Sequence, residues 1–362
     1  MPADAAMRRM AQVLNVFPPS FRGNPLHLLS LDCAKPIRSP HGYLRILDSP
    51  ALSEECSEYL LGESGDWPFP SVKVEGRPDP RVLSETLFQR FDEASQVMPT
   101  QAGVGAVLLR EVRKAEPDIV LLMIVDGLSY YDLDENDETI PCLVHGVTAT
   151  EFGHRSIIGK PSISQRLFDL GYKQQIGLSH FDTEANDLAN ELYSVFGPAS
   201  MRRIRDHEDA IQQLRGERLA RGFVQLTDPG LDSLCHHHRG RPPIQTYLAD
   251  ITHQFDTLMS CLAHRRRRVV GCLTADHGIL WRDHLGDDPP LCTGVTAEET
   301  HHPRYVRGGI IRDCTRLWRH DGCTYSLLRF PTLTRRLKQT EWGVHGGISA
   351  WESIVPVVIR TM

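Results

Sequence analysis

The sequence predicts an α/β fold built on a central, mostly parallel sheet with helices on its faces. Three continuous apolar runs of strand length indicate the sheet, at residues 118–125 (DIVLLMIV), 222–228 (GFVQLTD) and 269–275 (VVGCLTA). Such runs are typical of parallel strands that are covered on both faces. Between the second and third run, residues 242–263 place apolar side chains at three- and four-residue spacing, which predicts a helix. This alternation of strand and helix favours a parallel sheet.

Further elements are predicted on either side of these runs. Residues 354–359 (IVPVVI) predict a fourth strand, and Pro356 predicts that it lies at an edge or a bulge, because proline donates no ladder hydrogen bond. Residues 82–97 predict a helix. Before them, residues 26–32 predict a short strand, residues 52–61 a helix, and the Gly- and Pro-rich residues 62–80 a loop.

We expect two regions in the chain. A boundary near residue 116 separates a smaller N-terminal α/β region of unknown role, residues 1–116, from a main domain, residues 117–362. The chain length of 362 residues is compatible with this division.

Composition narrows the class of protein. The chain is 41% hydrophobic and 24% charged, which is ordinary for a globular protein, and its net charge of -6 argues against a strongly basic nucleic-acid binder. No apolar run reaches the length of about 18 residues that a transmembrane helix needs, so no membrane partner is expected. The N-terminus lacks a signal-peptide core, and the nine cysteines form no Cys-x-x-Cys pair. We therefore expect a cytoplasmic protein with reduced thiols.

Three aspartates lie at or shortly after the ends of the predicted strands: Asp126, Asp232 and Asp276. In open parallel sheets, ligands bind beyond the carboxyl ends of the strands. Carboxylates gathered there repel one another unless cations neutralise them. Although a single Asp-Gly pair is also typical of a simple turn, the three together predict a site for divalent cations.

Histidines accompany these aspartates. His236 lies one helical turn after Asp232, His277 directly follows Asp276, and His345 lies in the flexible string WGVHGG. Because His236 begins a run of three histidines, His237 and His238 are alternatives to it. A donor set of oxygen and nitrogen without thiolates suits zinc first and manganese second.

In five strings the sequence resembles the PglZ domain of the alkaline phosphatase superfamily. They are IVDGLSYYD, GVTATEFGHRSIIGK, LDSLCHH, LTADHGILWR and, most specific to PglZ, EWGVHGGISAWESIVPVVI. The resemblance covers roughly residues 117–362 and implies an alkaline phosphatase-like core with two divalent metal ions. Residues 1–115 carry no resemblance to a named family.

The resemblance also implies roles for individual residues. One metal would be held by Asp126, Asp276 and His277 together with Thr150, and the second by Asp232, His236 and His345. Thr150 would be the nucleophile, with Thr148 as the alternative, since both lie in the string VTATEF. The phosphate-clamping arginine of secreted alkaline phosphatases has no match, although Arg155 and Lys160 offer positive charge for substrate binding.

The implied function is a metal-dependent phosphodiesterase or phosphatase acting on a nucleotide or nucleic-acid phosphoester. PglZ proteins occur in bacterial phage-defence systems such as BREX, so other defence proteins are the expected partners. The alternative is a structural component of a defence complex with little or no catalysis, whose N-terminal region docks partners.

Overall fold

The structure, a computed structural model, describes residues 77–133, 139–180, 200–237, 241–264, 266–295 and 302–362. The strand and helix predicted at residues 26–32 and 52–61 lie outside these ranges, as does most of the loop predicted at 62–80.

Twelve strands occur in the described part of the chain. They are β1 (Ile119–Val125), β2 (Thr139–Leu143), β3 (Gln174–Ser179), β4 (Met201–Arg203), β5 (Gly222–Asp228), β6 (Val269–Ala275), β7 (Leu280–Trp281), β8 (Tyr305–Arg307), β9 (Thr315–His320), β10 (Cys323–Leu328), β11 (Gly343–Val344) and β12 (Ile354–Thr361). Seven of them form one sheet in the order β2-β12-β6-β1-β5-β3-β4. The others form a three-stranded sheet, β8-β10-β9, and a pair, β11-β7.

The helices of the same ranges alternate with these strands. They are α1 (Pro80–Val97), α2 (Gln101–Ala115), α3 (Thr150–Ile158), α4 (Ile163–Asp169), α5 (His207–Gly216), α6 (Asp232–His237), α7 (Ile244–Leu262), α8 (Arg282–Leu285) and α9 (Ala350–Ser353), besides a 3-10 turn at Tyr130–Asp132. The predicted helices at 82–97 and 242–263 correspond to α1 and α7.

The central sheet confirms the predicted fold. β1 pairs in parallel with both β5 and β6 over its whole length, and every residue of the three strands is buried. This explains the continuous apolar runs in the sequence, because both faces of these strands contact helices or loops. Helices α2 and α7 contribute apolar side chains to the same core as the sheet.

The strand predicted at residues 354–359 is confirmed as β12, but Pro356 marks neither an edge of the sheet nor a bulge, because the strand lies inside the sheet and its register with β2 is continuous. β12 lies between β2 and β6 and is antiparallel to both. Pro356 lies opposite Pro141 of β2, and pairing with β6 begins one residue later, at Val357. Proline has no backbone N–H, so neither residue of this pair can donate a hydrogen bond across the two strands. Because the two prolines are paired with each other, the other residue pairs of the ladder keep their donors.

Helices α1 and α2 precede the predicted domain boundary at residue 116, yet they pack against the main domain. Leu108 and Val112 of α2 belong to the core around β1, while Leu83 and Leu87 of α1 pack in a second core with Ile354. The division into residues 1–116 and 117–362 stays a prediction. Among the described residues, no helix has the length and apolar character needed to cross a membrane.

Candidate metal centre

The carboxyl ends of three adjacent strands place the candidate ligands at one edge of the sheet. Val125, the last residue of β1, lies level with Asp228 of β5 and Ala275 of β6. Asp126 and Asp276 are therefore neighbours, since each follows its strand directly. Asp232 begins α6 shortly after β5, and its backbone N–H donates to the carbonyl of Asp126 at 3.3 Å.

A tight turn carries the chain from β5 over Asp126. An ideal Cβ on Gly230 would lie 1.9 Å from the carbonyl oxygen of Asp126, and this glycine has a φ of +54°. A side chain is excluded at this position by contact and by backbone conformation. The close approach brings Asp232 beside Asp126.

One group of possible ligands, which we call the outer group, comprises Asp232, His236 and His345. Oδ1 of Asp232 lies 3.2 Å from Nε2 of His236 and 3.2 Å from Nε2 of His345. Asp232 and His236 are neighbours because they lie one turn apart in α6. His345 reaches Asp232 because it directly follows β11. Three ligand atoms from two distant segments thus converge on one point.

His345 is oriented by the backbone. Its Nδ1 lies 2.9 Å from the carbonyl oxygen of Thr148, so Nδ1–H donates there and Nε2 faces Oδ1 of Asp232. This is the arrangement in which metal-binding histidines are commonly held.

A second group, which we call the inner group, comprises Asp126, Asp232 and His277, so Asp232 belongs to both groups. Nε2 of His277 lies 3.2 Å from Oδ1 of Asp126, and Nδ1 lies 3.1 Å from the carbonyl oxygen of Gly278. His277 therefore also directs Nε2 into the site. Its ring stacks on that of His345, with 4.2 Å between ring centroids.

The two candidate nucleophiles have different surroundings. Oγ1 of Thr150 lies 3.4 Å from each carboxylate oxygen of Asp126 and 3.3 Å from Nε2 of His277. The hydroxyl of Thr148 is buried, accepts from the N–H of Gly346 at 2.7 Å and donates to the carbonyl of Gly347 at 3.2 Å. Thr148 therefore supports the loop of His345, whereas the hydroxyl of Thr150 faces the inner group.

Asp276 stands slightly apart from both groups. Its Oδ1 accepts the backbone N–H groups of Gly127 at 3.2 Å and His277 at 2.9 Å. Its Oδ2 is buried without a hydrogen-bond partner and lies 3.3 Å from Nε2 of His154, at ion-pair distance. One oxygen of Asp276 thus fixes the backbone around the site, and the other faces the imidazole of His154.

Two helices hold Asp276 in place. The side chain of Gln101, the first residue of α2, donates to the carbonyl oxygens of Ala275 at 2.9 Å and Asp276 at 2.6 Å. An ideal Cβ on Gly153 of α3 would lie 1.9 Å from the same carbonyl of Asp276. Because Thr150 begins α3, this contact sets the position of the hydroxyl relative to the strand end.

The charges of the site are strongly coupled. Burial raises the pKa of Asp126, and the neighbouring Asp276 raises it further. Burial alone would lower the pKa of His277, but Asp276, Asp126 and Asp232 outweigh it and raise that pKa. Burial opposes ionisation of Asp232 as well, yet His236 and His345 hold its pKa well below the usual range. In the metal-free protein, protons on imidazole supply the positive charge that the carboxylates require.

These observations fit divalent cations. Oδ1 of Asp232 and Oδ2 of Asp276 are buried carboxylate oxygens that no donor meets in hydrogen-bond geometry. Buried carboxylates need positive charge nearby, which protonated imidazoles supply in the metal-free protein and bound divalent cations would supply in their place. Oxygen and imidazole ligands without thiolate suit zinc or manganese. The number and identity of the ions stay predictions.

The structure places the remaining predicted residues as follows. Arg155 and Lys160 are exposed on and after α3 and belong to neither group of possible ligands. Their role in substrate binding stays a prediction. The side chain of His237 and the whole of His238 lie outside the described residues, so both alternatives to His236 remain open.

Sequence reasoning missed Gln101 and His154. His154 had a detectable signal, because it lies one helical turn after Thr150 in a string already singled out and therefore shares a helix face with it. Gln101 had no such signal. It lies 175 residues from Asp276 and acts through backbone carbonyls, which leave no pattern in the sequence.

Among known proteins, the chain is similar only to solved structures. No protein-family model matches the chain, and no curated protein sequence matches it. Murine ectonucleotide pyrophosphatase/phosphodiesterase 5, in complex with AMP, aligns at 11% identity over 66% of this chain and 87% of the other, with a TM-score of 0.44.

Two bacterial proteins are similar at a comparable level. Phosphonoacetate hydrolase from Sinorhizobium meliloti aligns at 14% identity over 67% of this chain and 90% of the other, with a TM-score of 0.39. The periplasmic domain of phosphoethanolamine transferase from Campylobacter jejuni aligns at 10% identity over 67% and 78%, with a TM-score of 0.36.

Proposed function

We propose that this chain is a metal-dependent phosphoric ester hydrolase of the PglZ type, within the alkaline phosphatase superfamily, and that Thr150 is its nucleophile. The observation that carries the proposal is the position of the Thr150 hydroxyl, 3.4 Å from both oxygens of Asp126 and 3.3 Å from His277. A hydroxyl among carboxylate and imidazole ligands is the arrangement expected of a metal-activated nucleophile.

In this proposal, six residues bind the metal ions and Thr150 attacks phosphorus. Asp126, Asp232, Asp276, His236, His277 and His345 would hold two divalent cations, zinc first and manganese second. Such cations lower the pKa of a bound hydroxyl and stabilise both the attacking and the leaving oxygens of an in-line displacement. The hydroxyl of Thr150 loses its proton, its oxygen forms a bond to phosphorus as the bond to the leaving oxygen breaks, and the leaving oxygen takes up a proton. Water later cleaves the resulting phosphothreonine, which returns the proton to Thr150 and releases the phosphate. Because Thr150 begins α3, the positive end of that helix would favour the negative charge of a phosphoryl group bound at the hydroxyl.

The proposed substrate is a nucleotide or nucleic-acid phosphoester, and the proposed setting is bacterial phage defence in the cytoplasm, together with other defence proteins. These finer assignments rest on the PglZ resemblance of residues 117–362. A diester substrate requires room at the site for a second substituent on phosphorus, whereas a monoester does not.

A matched set of variants tests the nucleophile. Hydrolysis of a p-nitrophenyl phosphodiester should fall by roughly 10³-fold or more in Thr150→Ala. Thr150→Ser, which keeps a hydroxyl, should retain much of the activity. Full activity in Thr150→Ala would contradict the proposal. Thr148→Ala should lose less, because its hydroxyl binds the backbone at Gly346 and Gly347.

Two further measurements address the substrate and the alternative function. Mass spectrometry of products from cyclic dinucleotides, oligonucleotides and phosphomonoesters identifies the class of ester that is cleaved. Metal analysis of the purified chain separates an enzyme from a purely structural component, since only the enzyme requires bound ions.

A further inference from the structure

A completely buried ion pair joins Arg304 to Glu352 of α9. Both side chains are 0% exposed, and Nη2 of Arg304 lies 2.8 Å from Oε2 of Glu352. Nε of Arg304 donates to the other carboxylate oxygen, Oε1, at 3.0 Å. Taking two charges out of water is costly, and replacing such a pair by apolar residues is often neutral or stabilising. A gain in stability therefore does not by itself explain this pair.

The guanidinium of Arg304 joins two segments of the backbone. They are the end of β10 with the residues after it, and the loop that follows His345. Four backbone carbonyl oxygens accept its N–H groups, those of Leu328, Arg329, Thr332 and Ile348. Because the guanidinium is planar and carries five donors, it reaches these acceptors and both oxygens of Glu352 at once, whereas a lysine ammonium has only three donors.

The carboxylate of Glu352 holds the loop that carries His345. Its Oε1 accepts the backbone N–H of Gly347 at 3.1 Å, and its Oε2 accepts the hydroxyl of Ser349 at 2.6 Å. The loop has little room to shift, because an ideal Cβ on Gly347 would lie 2.7 Å from Nη2 of Arg304. The ion pair thus fixes the backbone two residues after this candidate ligand of the outer group.

The backbone of Glu352 meets the inner group as well. Its carbonyl oxygen accepts the N–H of Gly278 at 3.0 Å. The carbonyl oxygen of Gly278 in turn lies 3.1 Å from Nδ1 of His277, which is the contact that directs Nε2 of this histidine into the site. An ideal Cβ on Gly278 would lie 2.0 Å from the carbonyl oxygen of Trp351, so α9 packs closely against this turn. Glu352 therefore contacts the loops of both histidines.

We propose that Arg304 and Glu352 are positioning residues, which set the separation of the inner and outer groups by holding the loops of His277 and His345 together. The two imidazole rings, stacked with 4.2 Å between centroids, depend on that separation. Two cations that act on one phosphoryl group lie about 3.5–4 Å apart, so a small shift of either loop weakens the binding of one ion. The inference rests on the metal binding in the proposed function, but on neither the nucleophile nor the substrate.

Glu352→Gln tests the pair with little change of shape. The amide keeps one acceptor oxygen and loses the charge, so Arg304 and the N–H of Gly347 share fewer acceptors. The variant should bind one of the two proposed zinc ions about tenfold more weakly, in the range known for residues that orient metal ligands, as measured by chelator competition. Arg304→Lys, which keeps the charge and loses the planar fork, is a second variant with the same expectation.

A milder variant keeps the test open if neither of these two chains folds. Ser349→Ala removes one donor to Glu352 and leaves the ion pair itself in place. It should weaken the same ion by a smaller factor. Thermal unfolding of each variant without metal confirms that it is folded.

Cobalt(II) in place of zinc gives a readout that a purely structural role would not change. Its visible absorption reflects the number and arrangement of its ligands. At saturating cobalt the loss of affinity no longer matters, so a changed spectrum in Glu352→Gln reports displaced ligands. An unchanged spectrum together with wild-type zinc affinity, in folded Glu352→Gln and Arg304→Lys, overturns the proposal.

Phe255→Leu is the matched control for stability. Phe255 is buried in α7, and its Cζ would lie 3.0 Å from an ideal Cβ on Gly271 of β6. It contacts neither member of the ion pair, so this variant should lower the midpoint of thermal unfolding and leave zinc affinity and the cobalt spectrum unchanged. Equal losses of zinc affinity in Phe255→Leu and Glu352→Gln overturn the proposal, because reduced stability would then explain both.

Metal binding separates this inference from the proposed function. If the variants lose zinc affinity but the wild type hydrolyses no ester, the proposed function fails and the positioning role stands. If esters are hydrolysed and the variants bind zinc as the wild type does, this inference fails and the proposed function stands. If the wild-type chain binds no divalent ions, both fail.

Discussion

The inner and outer groups of possible ligands share Asp232 but differ in their contact with solvent. The side chain of His277 in the inner group is completely buried, whereas those of His236 and His345 in the outer group are 35% and 16% exposed. The inner group follows the ends of strands in the middle of the sheet, and the outer group is completed by a short helix and a loop. The inner group is therefore held in place by the core, while the outer group is the part of the site that solvent reaches.

The largest expected effect is that of Asp232→Asn, because this residue belongs to both groups. The variant should bind fewer than the wild-type number of ions and hydrolyse phosphodiesters roughly 10³-fold more slowly, which corresponds to about 4 kcal/mol. Elemental analysis and steady-state rates measure the two quantities. Retention of both ions would show that the two groups do not depend on one carboxylate.

The second expected effect distinguishes the groups by chemical rescue. Added imidazole should restore part of the activity of His236→Gly, because this position is open to solvent. It should not restore His277→Gly, since the position is sealed in the core. Equal rescue of both variants would contradict the difference in burial.

Gln101 should affect the inner group through Asp276. Gln101→Met removes two donors to the backbone beside Asp276 and should lower zinc affinity about tenfold, in the range known for residues that support metal ligands. Chelator competition measures this affinity without requiring catalysis.

Gln225 provides the matched control. It is equally buried, in β5, but neither atom of its amide has a hydrogen-bond partner in the described structure. Gln225→Met should therefore leave zinc affinity unchanged. Equal losses in both variants would mean that Gln101 acts only through general stability.

The smallest expected effect concerns Glu341, close before the outer-group residue His345. Burial would raise the pKa of Glu341, but hydrogen bonds from Arg335, both 2.7 Å, and from the N–H of Lys338 hold it below its usual range. The folded-state pKa thus lies below the unfolded value of about 4.3. The resulting stability is present at neutral pH and is lost as pH falls through the folded-state pKa.

Chemical denaturation tests this contribution. Glu341→Gln should be about 1 kcal/mol less stable than the wild type at pH 7, and the difference should shrink below about pH 4. Asp288→Asn provides the control, because its ion pair with Arg336 is exposed and should contribute nothing measurable at either pH. A pH-independent difference for Glu341→Gln would contradict the assignment.

The sequence predicted the central sheet well because its strands are buried on both faces. Continuous apolar runs such as residues 119–125 and 269–275 have the length of a strand and are too short for a typical buried helix. The aspartates that follow them must therefore lie at one edge of the sheet. Spacing of one helical turn likewise brought His236 to Asp232.

Other features depend on contacts that a single sequence does not encode. The position of β12 between two strands depends on which partners are available, so Pro356 misleadingly indicated an edge. The sharing of Asp232 between two groups follows from the turn at Gly230, whose approach to Asp126 is visible only in three dimensions. The support of Asp276 by Gln101 joins distant segments through backbone atoms and is equally invisible.

The position of β12 has a consequence for biosynthesis. Of the described strands it is made last, yet it separates β2 from β6 within the sheet. Until it leaves the ribosome, β2 lacks its neighbour in the sheet and one side of β6 is an open edge. Such an edge is prone to association with other chains. We therefore expect nascent chains to depend on chaperones until residues 354–361 emerge, and the metal centre to form only after that, because His345 precedes β12 by so few residues.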